Sequence, residues 1–387
     1  MSAELPAIDT ATHQPTSVEE LSDLLSYLSG RRQSVRIMGG GTRQGFGNLG
    51  RHADCVISLA NLNRVVQYDP GDLVIAVEPG CTLAQLHAVL ASEGQFMALD
   101  AAHPERATIG GSYATGLSGP RRLGSGSLKD WVIGLDVLGP DGVRTRAGGM
   151  VVKNVTGYDM MHLHYAAMGA LGVVSRLNLK VFPHPGAATV IDLRYAGLVD
   201  ALTAGAAIIS SQLLPASAII SNDDGWRLLI RFDTPPSAVE RIATRAISVA
   251  SAAAAPTDAI TSTVDVTDQS IVPFANIVDL TRPRAVARIP LPLTWVQARS
   301  MQLEALAADI VLDVGSGLTY VAGDDETLLR ELPALSSTIT WLRAPASGGI
   351  DDVFGPMPVG AQPVATRLKD TFDPLGVLNP GRWVLGL

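Results

Sequence analysis

The chain has 387 residues, enough for more than one domain, and 47% apolar with 17% charged side chains mark it as globular rather than disordered or fibrous. A formal net charge of −8 argues against general nucleic-acid binding, which needs cations along a phosphate backbone. With only Cys55 and Cys81, a disulfide framework is excluded, and so is an iron–sulfur cluster ligated by this chain alone.

The opening stretch MSAELPAIDTATHQPTS has neither the basic start nor the apolar centre of a signal peptide, so the expected compartment is the cytoplasm. Thr16, with Glu19 three residues on, predicts a capping box before a helix whose stripe is Leu21, Leu24, Leu25 and Leu28. Residues 35–38 predict a strand that runs directly into GGGTRQGFGNLG; further strands are expected at 54–59 and 73–77, and a helix at 82–90. From Ala107, ATIGGSYATGLSGPRRLGSGSLKDWVIG is a second glycine-rich region, which leads into a strand at 132–138 and a Pro140-Asp141-Gly142 turn. KNVTGYDMMHLHYAAMGALGVVSRLNLKVFP predicts a helix, a tight turn at 169–172 and a strand ending at Pro183.

Beyond Pro185 the pattern gives strands at 189–194, 216–221, 226–232, 285–290, 310–314, 318–322 and 339–343. Helices are expected at 198–212, 236–251, 294–307 and 325–334. Together these make two β-α-β-β-α-β units, antiparallel sheets backed by helices. The apolar run 201–221 is interrupted by Ser210, Ser211, Gln212 and Pro215 and is therefore a helix followed by a strand, not a membrane span. The tail is rich in Pro and Gly and carries FDPLGVLNPGRW.

Gly45-Phe46-Gly47-Asn48-Leu49-Gly50 spells G-x-G-x-x-G, but a dinucleotide fingerprint must open a helix. Here Arg-His-Ala-Asp and a strand follow, so the match is accidental; no Gly-Lys-Ser/Thr occurs, which excludes a P-loop. Gly39-Gly40-Gly41-Thr42, between two strands, suits either a nest of backbone N–H groups around an anion or a mobile hairpin loop. Two further clusters favour the nest: Thr108-Ile109-Gly110-Gly111 with Ser118-Gly119-Pro120, and Gly169-Ala170-Leu171-Gly172. Three separated glycine-rich turns at strand ends suit one long ligand wrapped by backbone, such as a flavin dinucleotide.

The order GGGT, TIGGSYATGLSG, KNVTGYDMMHLHYAAMGALGVV and FDPLGVLNPGRW resembles the FAD-binding superfamily of vanillyl-alcohol oxidase and p-cresol methylhydroxylase, over the first half of the chain and its C-terminal end. Within it, GSYATGLSGPRRLGSGSLKDWVIG followed by GGMVVKNVTGYDMMHL is similar to the E-type FAD-binding chains of bacterial glycolate oxidases (glycolate dehydrogenases). The resemblance implies an α+β fold. It has a two-part FAD-binding domain over 1–184, split near 105, and a cap of antiparallel sheet covered by helices over 185–345. A segment over 346–387 returns to the FAD domain. It implies an FAD-dependent oxidoreductase acting on CH–OH groups, in a complex with the catalytic D-type flavoprotein and the F-type iron–sulfur protein of glycolate oxidase. That complex would oxidise glycolate to glyoxylate and touch a membrane only indirectly. It assigns Met38, Gly39, Gly40, Gly41, Thr42, Gly45, Phe46 and Gly47 to the pyrophosphate. Thr108, Gly110, Gly111, Ala114, Ser118 and Gly119 fall to the flavin and its diphosphate, and Gly172, Val173 and Val174 to the adenine or ribose end.

Departures from the pattern shape the expectation. Covalent members carry a His or Cys on these loops; the matching stretches here have none, so the FAD is expected to be non-covalent. Members that oxidise 2-hydroxy acids directly hold a metal with cap histidines, but no histidine lies beyond His184, so no metal site is expected and hydride abstraction falls to the D-type partner. A stand-alone FAD-dependent 2-hydroxy acid or alcohol oxidoreductase, and a non-catalytic structural component of the complex, remain open. Arg121 and Arg122 could bind a carboxylate or steady negative charge on the flavin, or could pair with a partner protein. His162 and His164, two apart on a helix, make poor co-ligands, and His103 is an ordinary loop histidine. Lys153, Tyr158 and Asp159 are expected to fix their loop, and Arg382 to anchor the C-terminus.

Overall fold

The computed structural model describes residues 11–151, 159–264, 272–348 and 350–387; Lys153 and Tyr158 lie outside them. Helix α1 (Val18–Gly30) buries Leu21, Leu25 and Leu28 against a parallel sheet of β1 (Thr12–His13), β2 (Val35–Met38) and β3 (Cys55–Ser58), in the order β1-β3-β2. The cap sits one residue later than expected. Ser17 Oγ accepts from the Glu20 N–H at 3.1 Å, and the Glu20 carboxylate, not Glu19, accepts from the Thr16 N–H at 2.7 Å. Because β2 and β3 run parallel, residues 39–54 form a crossover and not a hairpin loop. That is why the glycine loop is long and stands away from its own sheet.

The second half of this domain is an antiparallel sheet in the order β4-β5-β9-β7-β8. Strands β4 (Val65–Asp69) and β5 (Val74–Val77) lead to α2 (Leu83–Ala91), which Thr82 and Gln85 open with a capping box, and to β6 (Gln95–Phe96). Then come α3 (Ile109–Thr115), α4 (Arg122–Ser125), α5 (Leu128–Trp131), β7 (Val132–Leu138) and β8 (Arg144–Gly148). Among described residues the expected helix over MMHLHYAAM is one short α6 (Met160–His164), followed by β9 (Val173–Lys180) and by β10 (Phe182–Pro183), which pairs with β6. Leu83, Leu86, Leu90, Ile109, Tyr113 and Trp131 pack on Ile75, Leu135 and Leu177 of the sheet. The second glycine cluster is thus not a loop at a strand end. Thr108 caps α3, its Oγ1 accepting from Gly111 N–H at 3.2 Å, and the glycines occupy the first turn.

The two expected βαββαβ units form one continuous sheet. The first is β11 (Ala187–Tyr195), α7 (Leu198–Ser210), β12 (Ser217–Ser221), β13 (Trp226–Thr234), α8 (Val239–Ala253) and β14 (Asp258–Val264). After α9 (Val272–Ile277), the second is β15 (Ala285–Pro290), α10 (Leu293–Ala298), α11 (Ser300–Ala305), β16 (Asp309–Asp313), β17 (Leu318–Gly323), α12 (Asp325–Leu335) and β18 (Thr340–Arg343). The order β14-β11-β13-β12-β16-β17-β15-β18 joins the units through antiparallel β12 and β16. β14 was unforeseen; the helix expected at 294–307 is two short helices meeting at Arg299. The period-2 alternation of strands gives each face its own core. Ala218, Ile220, Leu228 and Ile230 meet the helices, while Ile219, Leu229, Val311, Tyr320 and Leu342 face Phe46 and Met168 of the first domain.

The tail carries α13 (Gln362–Phe372) and then runs beside β2, with Val35 N–H donating to Val377 O at 2.7 Å and Asn379 N–H to Val35 O at 2.8 Å. The run 201–221 resolves into the end of α7 and β12, and no helix among the described residues is long and apolar enough to cross a membrane.

Candidate functional site

The crossover loop comes back onto the start of α3. A Cβ on Gly39 would lie 2.3 Å from Thr108 Oγ1, and one on Gly40 only 1.6 Å from the Arg106 carbonyl oxygen. Glycine is required at Gly40 because backbone meets backbone and at Gly39 because the Thr108 side chain closes in, and Gly41 turns the chain at φ +75°. Between these segments and the start of β9 lies a cleft. Gly39, Gly40, Gly41 and Thr42 line it from the loop, Thr108, Gly110, Gly111 and Ala114 from α3, and Gly172, Val173 and Val174 from β9.

Among the described residues, the N–H groups of Gly40, Gly41, Thr42, Arg43 and Gln44 donate to no protein acceptor. Five consecutive free donors at the wall of a cleft are what an anion needs. A flavin dinucleotide fits this chemistry: its pyrophosphate would take the loop donors, and the glycines leave no Cβ in its way.

The other expected site residues lie elsewhere. Met38 ends β2 outside the cleft lining. Phe46 is 3% exposed and packs with its ring centroid 5.4 Å from that of Phe354. Gly45 lies against Leu280 and Arg343 of the cap, and Gly47 against Met168 and Arg382. Both are packing positions. Gly119 lets the chain close on Asp100: a Cβ would meet the Asp100 Cβ at 2.1 Å. Arg121, 1% exposed, then donates through Nε to Asp100 Oδ1 at 2.7 Å and through its backbone N–H to Oδ2 at 2.9 Å. Arg122, on α4 instead of the expected loop, sits 3.5 Å from Asp313 Oδ2 of the cap. Neither arginine lines the cleft. Ser118 lines a second, small cavity between the first domain and the cap; Thr42 and Arg43 line both spaces.

Several cleft residues were not foreseen. Arg43 donates through Nη1 to Thr115 Oγ1 at 3.0 Å and to the Leu117 carbonyl at 3.3 Å, and burial pulls its guanidinium down to about 10. Arg382, 5% exposed, donates to the carbonyls of Asn48 and Gln44 at 3.0 Å and of Phe46, while lining the cleft. It anchors the tail and completes a wall at once. Asn379 ties Ile37 N–H at 2.8 Å to the Met168 carbonyl at 2.7 Å. His164 is 5% exposed, lines the cleft and stacks edge-on to Phe372, with centroids 5.7 Å apart. His162 is exposed and paired to Asp159, and His103 Nε2 lies 3.0 Å from Asp279 Oδ1 of the cap. No three His, Cys, Asp or Glu side chains among the described residues are grouped to hold a metal ion.

Burial pulls the His164 imidazole from 6.5 down to about 4. A depressed folded value means its stability contribution is whole above about pH 6.5 and is lost as pH falls toward 4, a swing of about 3 kcal/mol. His164→Asn removes that titration. Urea unfolding at pH 7 and 4.5 should therefore show a smaller acid loss in the variant; equal losses would mean that the imidazole is not held neutral.

An FAD binding domain model matches residues 10–148. The chain is 31% identical to the glycolate oxidase component GlcE of Escherichia coli (strain K12), over 82% of this chain and 84% of that one. The chain belongs to the GlcE family of glycolate oxidase components. FAD is its cofactor, and it is an FAD-dependent oxidoreductase. It is also 29% identical to the glycolate oxidase component GlcD of Bacillus subtilis (strain 168), over 52% of this chain and 43% of that one. The xylooligosaccharide oxidase of Myceliophthora thermophila C1 superposes with a TM-score of 0.70 at 16% identity, covering 95% of this chain and 90% of that chain, a likeness of fold. The helices and antiparallel sheets are those of an α+β flavoprotein of this type.

Proposed function

We propose that the chain is the FAD-holding, GlcE-type component of a dehydrogenase complex for glycolate or a similarly short 2-hydroxy acid, working with a D-type flavoprotein and an iron–sulfur protein. The observation that carries this reading is the run of five unpaired N–H groups at residues 40–44 on the cleft wall, in a chain related to GlcE along most of its length. FAD, when bound, would supply two-electron redox chemistry to the complex. The chain's own part is to hold it non-covalently. The loop at 40–44 binds the pyrophosphate, α3 and the start of β9 form the remaining walls, and the cap sheet closes the far side. Arg121 and Arg122 act structurally, one shaping the Asp100 corner and the other tying α4 to the cap.

Affinity purification of the tagged chain from its own cells tests this. The expected result is one FAD per chain, copurification of a D-type flavoprotein and a cysteine-rich protein, and glycolate-dependent dye reduction by the assembly but not by the isolated chain. A flavin-loaded chain that purifies alone and turns over glycolate at the rate of the cell extract overturns the reading as one component of a complex; a chain without flavin overturns all of it.

A further inference from the structure

Four strands form the outer edges of the two large sheets, β4 and β8 in the first domain and β14 and β18 in the cap. An outer strand presents a row of unpaired backbone donors and acceptors, and proteins that stay monomeric blunt it with charge, a bulge or a cover. Three of the four are blunted. β8 carries the exposed Arg144 and Arg146. β4 shifts register between Val65 and Gln67 and ends in Asp69. β18 is met from outside by the segment that follows it, where Trp341 N–H donates to Val353 O at 2.7 Å. Among the described residues β14 has none of these devices. After Asp258 it reads Ala-Ile-Thr-Ser-Thr-Val, without charge, proline or glycine. It pairs with β11 in unbroken register from Asp258 to Val264, and no other described segment bonds to it through the backbone. Residues 258–263 are exposed on both faces, Ile260 among them at 45%. The strand is nevertheless held at both ends: Thr257 N–H donates to Arg194 O at 2.8 Å, and Val264 packs on the first-domain core.

We propose that β14 is a dimerisation edge, which pairs antiparallel with β14 of a second copy of this chain across a two-fold axis at Thr261. The strand suits its own reverse. With Thr261 facing its copy, every residue from Asp258 to Val264 has a partner. Asp258, the only charge, then lies opposite Val264, so no two acids meet although each chain carries a net charge of −8. Ala259 faces Thr263 and Ile260 faces Ser262, which makes the two exposed Ile260 side chains diagonal neighbours on one face. A two-fold contact is the commonest way for a soluble chain to close such a surface on itself, and it joins the two eight-stranded cap sheets into one. A ladder this short is a small interface, at or below roughly 1,200 Å², so the dimer is weak and concentration-dependent.

Sedimentation velocity on the full-length chain, run from roughly 1 to 100 µM, is expected to show a monomer–dimer equilibrium. Thr261→Lys and Thr261→Glu each set like charges face to face and should weaken the dimer at least about 10-fold. An equimolar mixture of the two should dimerise again, a rescue that a merely damaged strand does not give. Thr261→Cys should form an interchain disulfide under mild oxidation, because directly opposed residues stand roughly 4.5–5.5 Å apart at Cα. Cys55 and Cys81 are both buried, so the new thiol is the one read on a non-reducing gel. Thr263→Cys, on the same face but opposite Ala259 instead of its own copy, should stay unlinked. A monomer at every concentration, no rescue on mixing, or equal linking of the two cysteine variants overturns the proposal. So does a Thr261→Cys chain that, in the assembly purified from cells, links to a different protein in place of its copy, since the edge then takes a partner's strand. Flavin content and turnover enter none of these readouts, so the proposed function stands or falls separately.

Discussion

Gly40→Ala is expected to yield protein that loses its flavin on gel filtration. The new Cβ would stand 1.6 Å from the Arg106 carbonyl oxygen, and that oxygen is backbone, with no rotamer to swing away. The loop or the segment before α3 must move, and the five donors at residues 40–44 move with it. A backbone clash of this kind costs about 3 kcal/mol or more, so FAD should bind at least about 100-fold more weakly. Gly149→Ala is the matched control, because a Cβ there meets nothing within 4 Å. Stoichiometric flavin on Gly40→Ala would show that the loop does not hold the pyrophosphate.

The second large effect lies in the tail. Lys369 is 6% exposed and its Nζ donates to Asp373 Oδ2 at 2.7 Å and to the carbonyls of Ala170 and Leu378 at 2.9 Å. Asp373, 2% exposed, also accepts from the backbone of Val377 and Leu378. One cation thus ties α13 to the third glycine segment and to the strand-like run beside β2. Lys369→Met leaves the Asp373 carboxylate buried beside two amides alone, and should cost about 3–5 kcal/mol in denaturant unfolding. Removing both charges, as Lys369→Met with Asp373→Leu, should recover part of that loss, since a buried pair replaced by apolar groups is often near neutral. A single variant within about 1 kcal/mol of the parent would mean that the pair is not buried in solution.

The cleft was legible because close backbone approach leaves a composition signal. Gly39, Gly40, Gly110 and Gly172 are glycine for steric reasons that show in the sequence as clusters. The G-x-G-x-x-G at 45–50 carries the same letters for a different reason: Gly45 and Gly47 make room for cap and tail side chains. Cap strands such as β12 and β13 were legible through their buried residues. Of the strands not foreseen, β4, β8 and β14 are outermost in their sheets and mostly exposed on both faces, so they lack the alternation that marks a half-buried strand, while β1 and β6 are only two residues long.

By itself, then, the sequence determined where the glycines cluster, most of the strands and helices beyond Pro185 and membership in a flavin-binding family, because sterics, periodicity and motif order are local properties written along the chain. Only the tertiary structure decided which arginine lines the cleft. Arg121, Arg122 and Arg43 are equally cationic on paper. What separates them is the carboxylate each one meets, Asp100 at a position twenty-one residues earlier and Asp313 in another domain, and none among the described residues for Arg43. That choice belongs to long-range packing, which one-dimensional spacing does not record.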